Sequence, residues 1–203
     1  MFSPLLLIPW GLLLLALGGG RKRGKRSSSK RRRGKGVEAN VRRFTPQILA
    51  AHKAYPTIPA SVLAGLIENE SGGNPDATRY ECARMVDGKR KLFGQKTACP
   101  IGTQRKDKKG RPVMSRGLVQ FLIGTGELYG LRCTVDPATD ERRDPDKCVL
   151  AAAHLLSDLL RKFGTIERAL SAYNTGKPGS KHGLTVYAPH VLGKAKKYRD
   201  LDT

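Results

Sequence analysis

Apolar positions recur at helical spacing through most of the chain from Val41 onward. Thr45 to Tyr55 predicts a short helix. Pro59 to Glu70 (PASVLAGLIENE) predicts a stronger one, because Val62, Leu63, Leu66 and Ile67 share a face, and Ser71-Gly72-Gly73-Asn74-Pro75 must end it. The clearest helix runs from Pro145 to Phe163. Asp144 is a good N-cap and Pro145 suits the first helical position. Val149, Ala152, Ala153, Leu156, Leu159 and Leu160 form its apolar stripe, and Gly164 stops it. Thr165 caps a helix through Tyr173, and Tyr187 to Tyr198 predicts the last one. Leu118 to Leu131 is apolar enough to be helical despite three glycines. Arg79 to Arg111 has poor periodicity and reads as a long loop with room for a hairpin at Asp87-Gly88. The expected fold is mainly α, with a minor β contribution.

The pattern breaks at the N-terminus. Phe2 to Gly20 carries no charge and is rich in leucine. As a helix it could just span a bilayer, which takes about 17–25 residues. Arg21 to Gly36 then holds ten Lys or Arg and no acid, and lacks the apolar residues that folding requires. A signal peptide carries its positive charge before the apolar run, whereas here it follows. The favoured reading is therefore an uncleaved membrane anchor; a signal peptide and a segment buried in an assembly stay open. The expected organisation is a hydrophobic segment over 1–20, a basic disordered linker over 21–40, and a single domain over 41–203.

A formal net charge of +21 on 203 residues implies a polyanionic neighbour. Nucleic acid, anionic lipid and an acidic cell wall all qualify. The position of 21–36 beside the apolar segment favours lipid headgroups over nucleic acid. The four cysteines, Cys82, Cys99, Cys133 and Cys148, form no C-x-x-C pair, which disfavours zinc and redox readings. Each neighbouring pair brackets a loop-like segment, so Cys82–Cys99 and Cys133–Cys148 disulfides are expected; four free thiols is the alternative.

Glu70 stands at the end of an amphipathic helix before a Gly-Gly turn. Held there against an apolar wall, its carboxyl group would stay protonated near neutral pH and could donate to a glycosidic oxygen. Glu68 lies two positions earlier, on another helix face. On spacing alone, an ordinary surface glutamate at a helix end is the favoured reading of Glu70.

Three blocks change that. Glu70-Ser71-Gly72-Gly73-Asn74-Pro75 resembles the E-S-x-x-N-P signature of the soluble lytic transglycosylase family, within the lysozyme superfamily. Ser115-Arg116-Gly117-Leu118-Val119-Gln120 is similar to its S-x-G-L-x-Q block, with Thr125 and Gly130 suiting the continuation. Ala172-Tyr173-Asn174-Thr175-Gly176 is similar to its A-Y-N-x-G block, and Tyr187 and Val191 fit its terminal Y-x-x-x-V pattern. The three blocks stand in the family's order, and the resemblance as a whole covers Thr45 to Tyr198.

The resemblance implies a single lysozyme-like domain that cuts peptidoglycan glycan strands. Glu70 would be the sole acid/base, with Ser71 hydrogen-bonding near it. Gln120 would bind sugar groups, with Ser115 and Gly117 shaping that wall. Tyr173 and Asn174 would line the opposite side, the Tyr173 hydroxyl orienting Glu70, and Tyr187 joins the substrate-binding set. No matching block supplies a second carboxylate, and Asp76 is close in sequence to Glu70. The implied reaction is therefore non-hydrolytic and gives 1,6-anhydro-N-acetylmuramic acid ends, with no metal or cofactor. The sequence departs from the family at Val119, at Phe121 to Gly124, and in the long basic stretch Arg79–Arg111. That stretch, with Lys89, Arg90, Lys91, Lys106, Lys108 and Lys109, could cover the groove or grip an anionic wall. The tail suggests a membrane-associated or virion-borne enzyme that opens the wall locally, with virion or secretion-complex proteins as partners. Two alternatives stand: a goose-type lysozyme-like hydrolase with a second carboxylate, and a basic lipid- or nucleic-acid-binding protein with an inactive domain.

Overall fold

The computed structural model describes residues 36–87 and 89–203. The expected anchor, and nearly all of the basic stretch, lie outside them. Among the described residues no helix is long and apolar enough to cross a membrane.

Residues 36–42 form α1. The linker expected over 21–40 thus ends earlier than its charge pattern indicated, because Val41 is fully buried and anchors a helix that begins before it. Helices α2 (Thr45–Ala54) and α3 (Ala60–Glu70) follow. Every residue of α3 from Ala60 to Glu68 is buried, so it is the central helix and is covered all round. It crosses α7 (Ala188–Ala195) at Gly65, where a Cβ would stand 2.7 Å from the Val191 carbonyl oxygen. A glycine in mid-helix is the cost of that close backbone approach.

The strands come next: β1 (Thr78–Val86), β2 (Lys89–Gln95), β3 (Met114–Arg116) and β4 (Phe121–Leu122), in sheet order β2-β1-β3-β4 with antiparallel pairs throughout. The stretch read as a long loop with room for a hairpin at Asp87-Gly88 forms that hairpin, and its two strands run through the first half of the stretch. Its register runs from Val86 opposite Lys89 to Tyr80 opposite Gln95. Within β1 only Cys82 is buried, so both faces are wet over most of its length and no apolar alternation marks it. The backbone hydrogen bonds hold it instead.

The helix expected over Leu118–Leu131 shrinks to α4 (Ile123–Leu128). Gly117 and Gln120 have φ of 84° and 53°, a left-handed turn that no helix contains. Helix α5 runs Pro145–Phe163 as expected. The Asp144 carboxylate accepts from the Asp146 and Lys147 amides, and Gly164 closes the helix in the left-handed region. Helix α6 (Ile166–Thr175) is capped by Thr165 and ends at Gly176. The last helix is shorter than expected. A π-helical turn, Gly183–Tyr187, leads into α7, and a 3-10 turn, Lys196–Leu201, follows it. The other helices pack around α3, and a groove lies between them and the sheet.

Of the two expected disulfides, Cys82–Cys99 is present and ties β1 to the loop after β2. Cys133–Cys148 is not formed. Both thiols are buried and free: Cys148 in the first turn of α5 faces the Pro145 carbonyl, while Cys133 packs against Gly126.

Candidate active site

The carboxylate of Glu70 reaches the groove from the last turn of α3, whose end is set by Ser71 and Gly72 amides bonding to the Ile67 carbonyl at 3.1 Å. Burial lifts its pKa, and hydrogen bonds from Tyr187 and Asn69, with the charges of Arg79 and Lys194, oppose this without cancelling it. The Tyr187 phenol donates to Glu70 Oε1, and Asn69 Nδ2 approaches the same oxygen at 3.5 Å. Oε1 is therefore occupied as an acceptor, and the acid proton belongs on Oε2. Lys194 Nζ donates to Asn69 Oδ1 at 2.8 Å, fixing the amide orientation. Glu68 points away: Lys197 Nζ (2.6 Å) and the Tyr198 phenol (2.7 Å) hold its carboxylate, so it has no place in the groove.

Two connected hollows of about 480 and 580 Å³ meet at Glu70, Asn69, Arg79 and Gln120. The first continues past Ser115, Leu122, Thr125, Tyr173, Asn174 and Tyr187, and the second past Ser71, Asn74, Asp76 and Lys96. The catalytic candidate thus stands where the two hollows meet, midway along the groove.

The β3–β4 turn makes one wall. Ser115 Oγ donates to Gln120 Oε1 at 2.9 Å, and Gln120 Nε2 donates to the Ala77 and Gly117 carbonyls at 3.0 and 2.9 Å. Gln120 was expected to bind sugar. Its amide protons are already committed, so it holds the wall's shape and has acceptor capacity left on Oε1. Gly117 is required here, because a Cβ would fall 1.7 Å from the Arg142 carbonyl oxygen. Beneath the wall, Arg142 is fully buried. It donates to the Met114 (3.0 Å) and Phe121 (2.9 Å) carbonyls and to Asp140, which also takes Arg116 Nη1 at 2.6 Å.

The role expected of Tyr173 falls to Tyr187. The Tyr173 phenol donates to the Val119 carbonyl at 2.6 Å, clamping α6 to the turn, and does not reach Glu70. The π-helical turn, a form often found at functional sites, is what delivers Tyr187 to the carboxylate instead. Ser71 also differs from expectation. Its hydroxyl donates to the Ile67 carbonyl and accepts from the Gly73 amide, so it caps α3 and leaves Glu70 untouched. Asn174 lines the groove as expected.

Sequence reasoning missed Arg79, Glu81, Arg105 and Lys96, which line the sheet side. Arg79 and Glu81 alternate along β1 and face the same way, which was readable only once β1 was known to be a strand. Asp76 lies at the far hollow and is engaged by Arg143. Among the described residues no group of three or more His, Cys, Asp or Glu converges as a metal site would.

A part-buried glutamate with a raised pKa at the end of a central helix, midway along a groove between the helices and a small sheet, defines a lysozyme-like domain. The chain matches the transglycosylase SLT domain model over residues 47–183, more than half its length, and belongs to that family. It is accordingly a lytic transglycosylase, with peptidoglycan as substrate. The matched span stops short of Tyr187. No curated protein matches the chain in sequence. Solved structures of Bd0314 DslA are similar. A mutant form is 16% identical over 62% of this chain and 70% of that one, with a TM-score of 0.38. Wild-type form 2 is 18% identical over 70% and 72%, with a TM-score of 0.34.

Proposed function

We propose that the protein cleaves the β-1,4 bond between N-acetylmuramic acid and N-acetylglucosamine, with Glu70 as its single acid/base, leaving 1,6-anhydro ends. The observation that carries this is Glu70 itself: a desolvated carboxyl with raised pKa, midway along an open groove, one oxygen occupied by Tyr187. Protonated Oε2 delivers its proton to the glycosidic oxygen as the bond breaks. The neighbouring acetamido group steadies the oxocarbenium-like charge. Glu70, now a carboxylate, takes the proton of the sugar's own 6-hydroxyl, which closes on the anomeric carbon. Proton count balances and no water is consumed.

Mass spectrometry of fragments released from purified peptidoglycan by the full-length chain, with Glu70→Gln beside it, tests this. Anhydro ends absent from the variant support the reading. Persistent cleavage by the variant would remove Glu70 from its role.

One observation favours a second reading. Glu81 lines the same groove, with Arg79 Nε 3.6 Å from its carboxylate. A hydrolase with two carboxylates would use it to activate water. Reducing ends in place of anhydro ends, lost in Glu81→Gln, would establish that reading.

The setting we propose is local wall opening by a membrane-associated or virion-borne enzyme. It rests on the apolar residues 2–20 and the basic stretch 21–36.

A further inference from the structure

The groove's sheet side carries more positive than negative charge. Arg79 and Arg105 line the hollow next to Glu70, and Glu81 is the one acid on that wall. Arg79 is partly matched by Glu81 and packs flat on Gly94, where a Cβ would lie 2.0 Å from its Nε. Arg105 differs. Among the described residues its guanidinium makes no ion pair, and although half-buried it donates no side-chain hydrogen bond. Half-buried in the lining of the hollow, Arg105 offers the groove a planar guanidinium with five N–H donors, the fork that matches a carboxylate.

The backbone builds that position deliberately. The Arg105 amide donates to the Glu81 carbonyl at 3.1 Å, and the Val113 amide donates to the Arg105 carbonyl at 2.8 Å. The Gln104 side-chain amide sits among the Glu81, Arg105 and Val113 carbonyls at 3.1–3.4 Å. The Cys82–Cys99 bridge fixes the loop that leads into it. Arg105 is thus presented from a laced segment, not from a loose surface loop.

Glycan strands of the wall are not uniformly neutral. N-acetylglucosamine has no charge. N-acetylmuramic acid carries a lactyl group that is either a free carboxylate or the root of a peptide stem with its own carboxylates. A planar guanidinium binds such a group through two parallel hydrogen bonds.

We propose that Arg105, with Arg79 beside it, forms a carboxylate subsite that selects acidic muramyl strands over neutral N-acetylglucosamine polymers. This rests on reading the groove as a glycan site. It gives the basic insertion a task at the groove itself: recognising the acidic sugar next to the bond that is cut.

The test uses the full-length chain carrying Glu70→Gln, so that binding is read without turnover, alone and combined with Arg105→Gln. The Arg105 side chain holds nothing else in place, so the substitution leaves the melting temperature unchanged. Three soluble probes of equal sugar length are titrated: strands bearing peptide stems, strands stripped of stems and so carrying free lactyl carboxylates, and N-acetylglucosamine oligomers. Arg105→Gln weakens an acidic probe about tenfold, the loss of one charge-assisted hydrogen bond or more, and leaves the neutral oligomer within about twofold. Loss confined to stem-bearing strands assigns the site to the stem. Loss confined to stripped strands assigns it to the lactyl group, and loss on both means either is accepted. Equal change across all three probes, or no change in any, overturns the proposal. Failure of every probe to bind the parent would sink the glycan reading and the subsite with it. Binding does not depend on Glu70 chemistry, so an error in the catalytic assignment would leave this result standing.

Discussion

The Tyr187 phenol donates its hydrogen bond to Glu70 Oε1 from 117 residues further along the chain. That one contact couples the helix carrying the acid to the turn that introduces the last helix. It also sets the acid's strength, since the donor favours the ionised form while burial favours the neutral one.

Tyr187→Phe removes the donor, so burial acts with less opposition and the Glu70 pKa rises. The basic limb of the pH–rate profile should move to higher pH, because the protonated acid persists longer. Activity at the optimum should fall about tenfold, as expected for losing a hydrogen bond to a charged group. Tyr173→Phe should leave the position of that limb unchanged, since its phenol bonds to the Val119 carbonyl. Release of soluble fragments measured across pH separates the two.

Glu70 should also tax stability, in a pH-dependent way. Its pKa is about 4.5 when unperturbed and higher in the folded protein, with burial the leading cause. The favourable contribution is full below about 4.5 and is lost as pH rises through the folded value. Glu70→Gln does not titrate. Its melting temperature relative to wild type should therefore climb as pH rises from acid toward neutrality, then level off. A difference that stays flat over this range would mean that Glu70 is not desolvated.

Gly117 and Gly130 have similar positive φ, 84° and 82°, but different surroundings. Nothing lies within 4 Å of a Cβ at Gly130, whereas the Arg142 carbonyl oxygen blocks Gly117. Gly130→Ala should cost about 1–2 kcal/mol of backbone strain. Gly117→Ala should exceed about 4 kcal/mol, because main chain must move. Denaturant unfolding compares them directly.

Asp140 sits between two buried guanidiniums, Arg116 and Arg142, whose side chains are 3% and 0% exposed. Burial works to raise its pKa, yet the Arg142 hydrogen bonds and both positive charges prevail and hold it below the ordinary value. Asp140→Ala strands two buried cations and should cost about 3–5 kcal/mol. Asp76→Ala breaks an ion pair with Arg143 whose carboxylate is 64% exposed, and should cost under about 1 kcal/mol. Unfolding free energies of the two variants test that contrast.

The helices were legible because their signals are local. Asp144 with Pro145, and Gly164 at the far end, bracket α5 from adjacent residues, and the same holds for Thr165 and α6. The blocks around Glu70, Gln120 and Asn174 likewise marked one groove, because the fold brings them together as their resemblance implied. The place of the hairpin's turn was legible at Asp87-Gly88, but the extent of its strands was not. Its strands are wet over most of their length, so the backbone ladder from Val86–Lys89 to Tyr80–Gln95 stabilises them without any apolar period. Nor could spacing decide between Tyr173 and Tyr187 as the partner of Glu70, since both are tyrosines within reach of the same cleft. A single π-helical turn settles it. Sequence alone determined the helical layer and which carboxyl sits at a helix end, through caps and periodicity. Tertiary structure decided the rest: which phenol meets that carboxyl, which thiols pair, and that Arg79, Glu81 and Arg105 share its groove. Those are contacts between distant segments, and no local pattern encodes them.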